Sequence, residues 1–207
     1  MSWSGFSLST HRTATTPLLK MVAEGATLSP RVTLTENIAD GLAPRFQDEG
    51  FFRPDAVPLI TRGVYQEALA SPRTAMEFAT TPNGADDSEA SAALDMAAGD
   101  LPEDDVLAAL GTGVYIGNLW YLNYSDRNAC RFTGMTRFAT FWVENGEIVA
   151  PMNVMRFDDT IYRMLGSNLV ALTAARDLRL STDTYEQRST RSMRLPSALI
   201  EDLRLTL

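Results

Sequence analysis

The sequence predicts an α+β fold, strand-dominated, with a mostly antiparallel sheet or barrel-like arrangement and short helices between strands. Three observations predict it. A β-hairpin is legible at residues 138–152, where Phe138–Val143 and Ile148–Met152 flank Glu144-Asn145-Gly146-Glu147. A second hairpin candidate pairs Val57–Ile60 with Val64–Leu69 across Thr61-Arg62-Gly63. The helical signals are all short, each opened by a capping residue and a proline or closed by a glycine.

The first hairpin can be read in detail. Asn-Gly fits a two-residue type I′ turn, whose two central residues need φ > 0. That turn sets Val143 opposite Ile148, Phe141 opposite Ala150 and Ala139 opposite Met152, an apolar face. The other face carries Trp142, Thr140, Val149 and Pro151 and is poor in charge. A hairpin apolar on both faces is expected to be sandwiched within a larger body.

The remaining elements follow in chain order. Phe6–Ser9 alternates as a short strand would, and Val32–Glu36 reads as another. Residues 37–56 hold Gly41, Pro44, Gly50 and Pro54 and read as a loop-rich excursion. Pro58 places its strand at an edge or a strand start. Ser71-Pro72 is an N-cap followed by proline at the first helical position, with the helix running to Phe78. Thr80 to Ala90 is polar and turn-rich, with Asp86, Asp87 and Glu89, and reads as an exposed, mobile acidic loop. Its ligand spacing does not suit calcium. Asp100-Leu101-Pro102-Glu103 opens a helix whose stripe is Val106, Leu107 and Leu110 and which Gly111 can end. Val114–Tyr124 reads as one long aromatic strand, Asp158 and Asp159 as caps of a helix ending at Gly166, and Leu199–Thr206 as the last strand. No repeat or linker divides residues 1–207, so a single domain is expected.

Composition excludes several classes. The net charge is −8 and the sequence pI about 4.7, against a nucleic-acid binder with a basic face. Every basic residue except Lys20 is arginine. No apolar run approaches a membrane span, and the N-terminal stretch lacks the apolar core of a signal peptide. A single cysteine excludes an internal disulfide and makes the cytoplasm the expected compartment.

A search for chemistry returns little. His11 is the only histidine and Cys130 the only cysteine. A self-contained zinc site normally needs three or four His, Cys, Asp or Glu ligands. Arg127 and Arg131 would favour a Cys130 thiolate, but there is no histidine partner, so a structural role is preferred. The carboxylate pairs at 104/105 and 158/159 are accounted for by helix starts. Gly111-x-Gly113 follows a helix and precedes a strand, the reverse of a dinucleotide fingerprint.

The order of motifs is more telling. Pro102–Leu110 is followed by Gly111-Thr112-Gly113-Val114-Tyr115-Ile116 and Thr133-Gly134-Met135-Thr136. Phe141-Trp142-Val143-Glu144-Asn145-Gly146-Glu147-Ile148, Pro151, Arg156-Phe157 and Leu195-Pro196-Ser197-Ala198-Leu199 come next, with Ser71-Pro72-Arg73-Thr74-Ala75 upstream. This series resembles the C-terminal region of the TldD/PmbA family, historically called modulators of DNA gyrase, and looks closest to its TldE (PmbA) branch. The resemblance covers roughly 180 residues, with soft boundaries.

The resemblance implies a TldD/PmbA-type C-terminal domain and a part in a two-chain zinc metallopeptidase. In that family a TldD-like chain holds zinc through a His-Glu-x-x-x-His helix and a later cysteine, and short or unfolded peptides are cleaved in an enclosed chamber. Here the histidine motif is absent, and no cysteine stands near Thr184-Tyr185-Glu186-Gln187, where the family's would fall. Cys130 does not match that position. The chain therefore reads as the C-terminal part of a TldE-like protein, with no catalytic residue, metal ligand or cofactor of its own and with zinc expected in a TldD-like partner of a heterodimer. Two alternatives are a fragment of an active zinc peptidase whose ligands lie upstream, and a gyrase- or DNA-linked binding protein. Asn118, Trp120, Tyr121 and Arg137 combine aromatic area with polar groups and are the candidate peptide-contact residues.

Overall fold

The computed structural model describes residues 5–185 and 187–206. In chain order the elements are α1 (Leu8–Arg12), α2 (Leu19–Glu24), β1 (Leu34–Asn37), β2 (Ala56–Thr61), β3 (Val64–Tyr65), α3 (Pro72–Glu77) and β4 (Ala93–Met96). A 3₁₀ turn at Glu103–Asp105 leads into α4 (Val106–Leu110). There follow β5 (Gly113–Ile116), β6 (Leu119–Asp126), β7 (Arg131–Thr136), β8 (Thr140–Glu144), β9 (Glu147–Pro151) and β10 (Arg156–Thr160). A short helical turn at Arg163–Ser167 precedes β11 (Leu169–Leu180), β12 (Ser192–Ile200) and β13 (Leu205–Thr206). The fold is strand-dominated α+β, as the sequence predicts, and its described strands form open sheets rather than a closed barrel.

The chain packs as two units, one made of the residues up to Ala97 with Arg176–Leu195, the other of Ala98–Ala175 with Pro196–Leu207. In the first, β1 to β4 join the part of β11 from Arg176 and the part of β12 up to Leu195, in the order β11-β12-β4-β1-β2-β3. All described pairs here are antiparallel except β12 with β4. Val32, Leu34, Val57, Leu59, Ile60, Leu94 and Met96 are buried, as are Phe6, Leu18 and Met21 from the N-terminal segment. The second hairpin forms as expected: Thr61 pairs with Val64, and Arg62 and Gly63 both have positive φ, 49° and 80°. β3 is short and pairs with Ile60 and Thr61, leaving the Pro58 end of β2 beyond its reach.

Phe6–Ser9 is not a strand. Ser7 caps α1 by accepting a hydrogen bond from the Thr10 amide at 3.3 Å, and a lone alternation of four residues could not reveal that local signal. Ser71 caps α3 as predicted, with Pro72 in the first turn.

Residues 80–90 form a loop, but the expectation of an exposed segment fails at its C-terminal end. Ala85, Ala90 and Glu89 are buried. Glu89 Oε2 accepts from Ser7 Oγ at 2.6 Å and the Ser9 amide at 2.9 Å, while Oε1 accepts from the Ser71 amide at 2.9 Å. A carboxylate thus ties the starts of α1 and α3 together, where helix N-termini leave amides unpaired. Earlier in the same loop, Asn83 Oδ1 accepts from the Ala70 amide and its Nδ2 donates to the Ala68 carbonyl.

The second unit contains the sheet β13-β10-β7-β6 and the sheet β5-β8-β9. The residues 114–124 are two strands in different sheets, not one. Gly117 separates them: its amide donates to the Ala139 carbonyl at 2.7 Å, and a Cβ there would lie 2.8 Å from that oxygen. The hairpin turn is correctly predicted, with Asn145 at φ 50° and Gly146 at φ 81° and Val143 opposite Ile148. A bulge between Trp142 and Val143 then shifts the register, so Phe141 faces Pro151 and Trp142 faces Ala150. Val143 is fully buried, but Ile148 and Val149 on the edge strand are 51% and 57% exposed, so sandwiching on both faces is not seen.

α4 spans the predicted stripe and ends at Gly111 as expected, the turn before it being 3₁₀; Val106, Leu107 and Leu110 are half-buried rather than buried. Asp158 and Asp159 lie in β10 rather than at a helix start; Thr160 Oγ1 accepts from the Arg163 amide instead. Asp158 pairs with Arg131 at 3.0 Å, and buried Asp159 with Arg163 Nε at 3.0 Å. The predicted final strand divides into β12 and β13, with Asp202 at φ 55° between them.

Candidate functional site

Asn118, Trp120, Tyr121 and Arg137 come together at one edge of the second unit. β6 is the outer strand of its sheet, paired with β7 on one side only. Its residues Leu119, Trp120, Tyr121 and Leu122 are all exposed. The Arg137 amide donates to the Asn118 carbonyl at 3.0 Å, which closes the turn after β7 onto the start of β6. The Arg137 guanidinium carbon then lies 4.7 Å from the Trp120 ring centroid and 4.8 Å from that of Phe138. Both distances are well within cation–π range.

Phe138 was missed as a site residue because the apolar run 138–143 made it look like the first residue of a strand. It stands instead in a left-handed turn, φ 61°, and β8 begins two residues later. Tyr121 is also left-handed, φ 56°, at the point where the β6–β7 register breaks between Trp120 and Asn123. Left-handed backbone costs a non-glycine residue about 1–2 kcal/mol. The two exposed aromatic residues thus stand at a turn and at a bulge rather than in regular strand.

A second feature lies in the first unit. A cleft of about 430 Å³ is lined by Leu94 and Met193 and by Arg179, Ser181, Thr182 and Arg191 among others. Arg179 pairs with Asp177 at 3.1 Å, and Arg191 donates to Ser88 Oγ at 3.1 Å. The connection from β11 to β12 that borders the cleft contains Thr184 and Tyr185, near the position expected for a family cysteine. Glu186 of that stretch lies outside the described residues.

Neither His11 nor Cys130 is placed for metal binding. His11 Nε2 lies 2.7 Å from the Gly5 carbonyl, and Nδ1 lies 3.1 Å from the Tyr65 hydroxyl. A carbonyl only accepts, so Nε2 carries the proton and Nδ1 accepts from Tyr65. Burial holds the imidazole below its ordinary pKa, against the Gly5 bond and the Glu89 charge, and also pushes the Tyr65 hydroxyl up to about 12. Cys130 is fully buried in the turn between β6 and β7, and burial pushes its thiol up to about 12. The arginines that might have activated it are used elsewhere: Arg127 lies 5.1 Å from the Tyr124 ring, and Arg131 binds Asp158.

The buried carboxylates are likewise committed to structure. Glu36 accepts from the Ala92 and Ala93 amides and from Ser91 Oγ. Asp95 accepts from Asn37 Nδ2 and pairs with Arg176 and Arg194. Among the described residues no group of three or more His, Cys, Asp or Glu side chains is arranged to hold a metal ion. No described helix is long and apolar enough to cross a membrane.

The fold and the whole-chain match define the class. The model of the PmbA/TldA metallopeptidase C-terminal domain matches residues 1–207. The chain belongs to the TldD/PmbA family. Among solved structures it is similar to TldE from Thermococcus kodakarensis, with 18% identity and a TM-score of 0.80 over 99% of this chain and 46% of that one. It is also similar to two proteins described as modulators of DNA gyrase. For the one from Thermotoga maritima the identity is 17% and the TM-score 0.76, over 98% of this chain and 45% of the other. For the one from Bacteroides thetaiotaomicron they are 20% and 0.73, over 99% and 43%. The chain thus spans about half the length of the structures it matches. A comparison with curated proteins finds no match.

Proposed function

We propose that this chain is the TldE-like, non-catalytic subunit of a TldD/TldE-type zinc peptidase, serving to complete the peptide chamber while a TldD-like partner supplies the metal. The observation that carries the reading is chemical. The family is a metallopeptidase family, yet this chain's one histidine is engaged by Gly5 and Tyr65 and its one cysteine is a buried, protonated thiol. The likeness to TldE from Thermococcus kodakarensis supports the same branch. The chain's part in proteolysis is then binding and enclosure of short or unfolded peptides in the cytoplasm, with Asn118, Trp120, Tyr121 and Arg137 as contacts.

Metal analysis of the purified chain tests this reading. Less than a tenth of an equivalent of zinc after incubation with excess metal and desalting is expected; one equivalent, held against a mild chelator, would contradict it. A DNA-linked role has less support, because a net charge of −8 opposes the phosphate backbone.

A further inference from the structure

We propose that the free edge of β6 takes an extended peptide bearing an acidic side chain, and that Arg137 receives its carboxylate. The inference rests on the reading of this edge as a peptide-contact surface and adds the kind of peptide it selects.

The edge is apolar, and what interrupts it is a bulge between Trp120 and Asn123 rather than a charge. Four consecutive large apolar residues are 37%, 50%, 71% and 53% exposed from Leu119 to Leu122. Natural edge strands are usually blunted by charge or proline. β9, an outer strand of the neighbouring sheet, shows both, with exposed Glu147 and Pro151. β6 has neither before Asp126.

Arg137 supplies the charge argument. Among the described residues no ion pair joins it to a carboxylate; Arg127 and Arg156 of the same unit also lack one, but Arg127 lies over a single ring and Arg156 donates to Thr133, whereas Arg137 stands beside two exposed rings. The guanidinium carbon lies 4.7 Å and 4.8 Å from the Trp120 and Phe138 ring centroids, within cation–π range. The N–H fork that suits a carboxylate is left without an ionic partner. In a chain of net charge −8, Arg137 places a positive charge beside two exposed rings. A peptide lying along β6 would gain affinity from its main chain and the rings, and selectivity from this one cation.

The test is a binding titration of the whole chain at low ionic strength. The probe is a short, labelled valine–threonine peptide with one central glutamate, compared with versions carrying glutamine or lysine there. The glutamate version should bind about fivefold more tightly than the glutamine version, the range of an exposed ion pair, and the lysine version most weakly. Arg137→Gln should abolish the preference, the glutamate and glutamine peptides then binding equally whatever their common affinity. Arg137→Lys, which keeps the charge and loses the fork, should restore part of it. Amide exchange should slow across Leu119–Asp126 when the glutamate peptide is bound. Equal affinity for the glutamate and glutamine peptides, a preference that survives Arg137→Gln in a chain of unchanged melting temperature, or protection in β9 instead of β6 would overturn the proposal. None of these results touches the subunit reading, which stands or falls on zinc and the partner chain.

Discussion

Glu89 shows how a single side chain can organise a unit whose sequence looks loose. Burial alone would raise its carboxyl pKa, but hydrogen bonds from Ser7, Ser71, Ser9 and Thr74 outweigh burial and hold it below the ordinary value. In Glu89→Gln the amide group would meet donors that want an acceptor. The variant should lose about 2–4 kcal/mol in urea unfolding, the usual cost of leaving buried partners unpaired. The same group sets a pH dependence. His11 and Glu89 both have folded pKa values below their unfolded ones. Each therefore contributes stability that is present above its unfolded pKa and lost as pH falls through the folded one. The urea midpoint should drop first below pH 6.5, from His11, and again below pH 4.5, from Glu89. In Glu89→Gln the second drop should shrink, Asp158 still contributing to it, while the first remains. At Cys130 the thiol stays protonated, so a thiol reagent at pH 8 should find no reactive group in the native chain and one after unfolding.

Elements were legible where turn chemistry is local. Asn145-Gly146, Arg62-Gly63 and Ser71-Pro72 each declare themselves within a few residues, and each is present. Gly146→Ala tests the first directly. At φ 81° an added Cβ is conformationally costly, and it would also lie 3.2 Å from the Ala108 Cα. A loss of about 1–2 kcal/mol is expected in thermal or urea unfolding, with the unit remaining folded. Register was less legible, because one bulge at Trp142 moves every later pair by a residue and leaves no composition signal. The division of 114–124 into strands of two sheets was hidden too, since the contact that requires Gly117 comes from Ala139, distant in sequence. The long strand β11, with few charges before Arg176, was not recognised from its sequence at all. At the candidate site, Asn118, Trp120, Tyr121 and Arg137 drew attention by their mixed aromatic and polar character near one short stretch. Phe138 did not, because an apolar residue beside a strand gives no hint of a left-handed turn.

For the whole molecule, large apolar side chains stand exposed in the second unit, on β6, Phe138 and β9. Exposed apolar surface of this kind marks contact with something else, and the chain spans about half the length of its solved relatives. The proposed subunit role is tested most directly in the complex itself. The direct measurement is a peptidase assay on three samples: this chain alone, a zinc-loaded TldD-like chain alone, and the two mixed in equal amounts, with an unfolded peptide as substrate. The account predicts no cleavage by this chain, little or none by its partner, and chelator-sensitive cleavage by the mixture. Zinc-dependent cleavage by this chain in isolation, or a mixture no more active than the TldD-like chain alone, would contradict it.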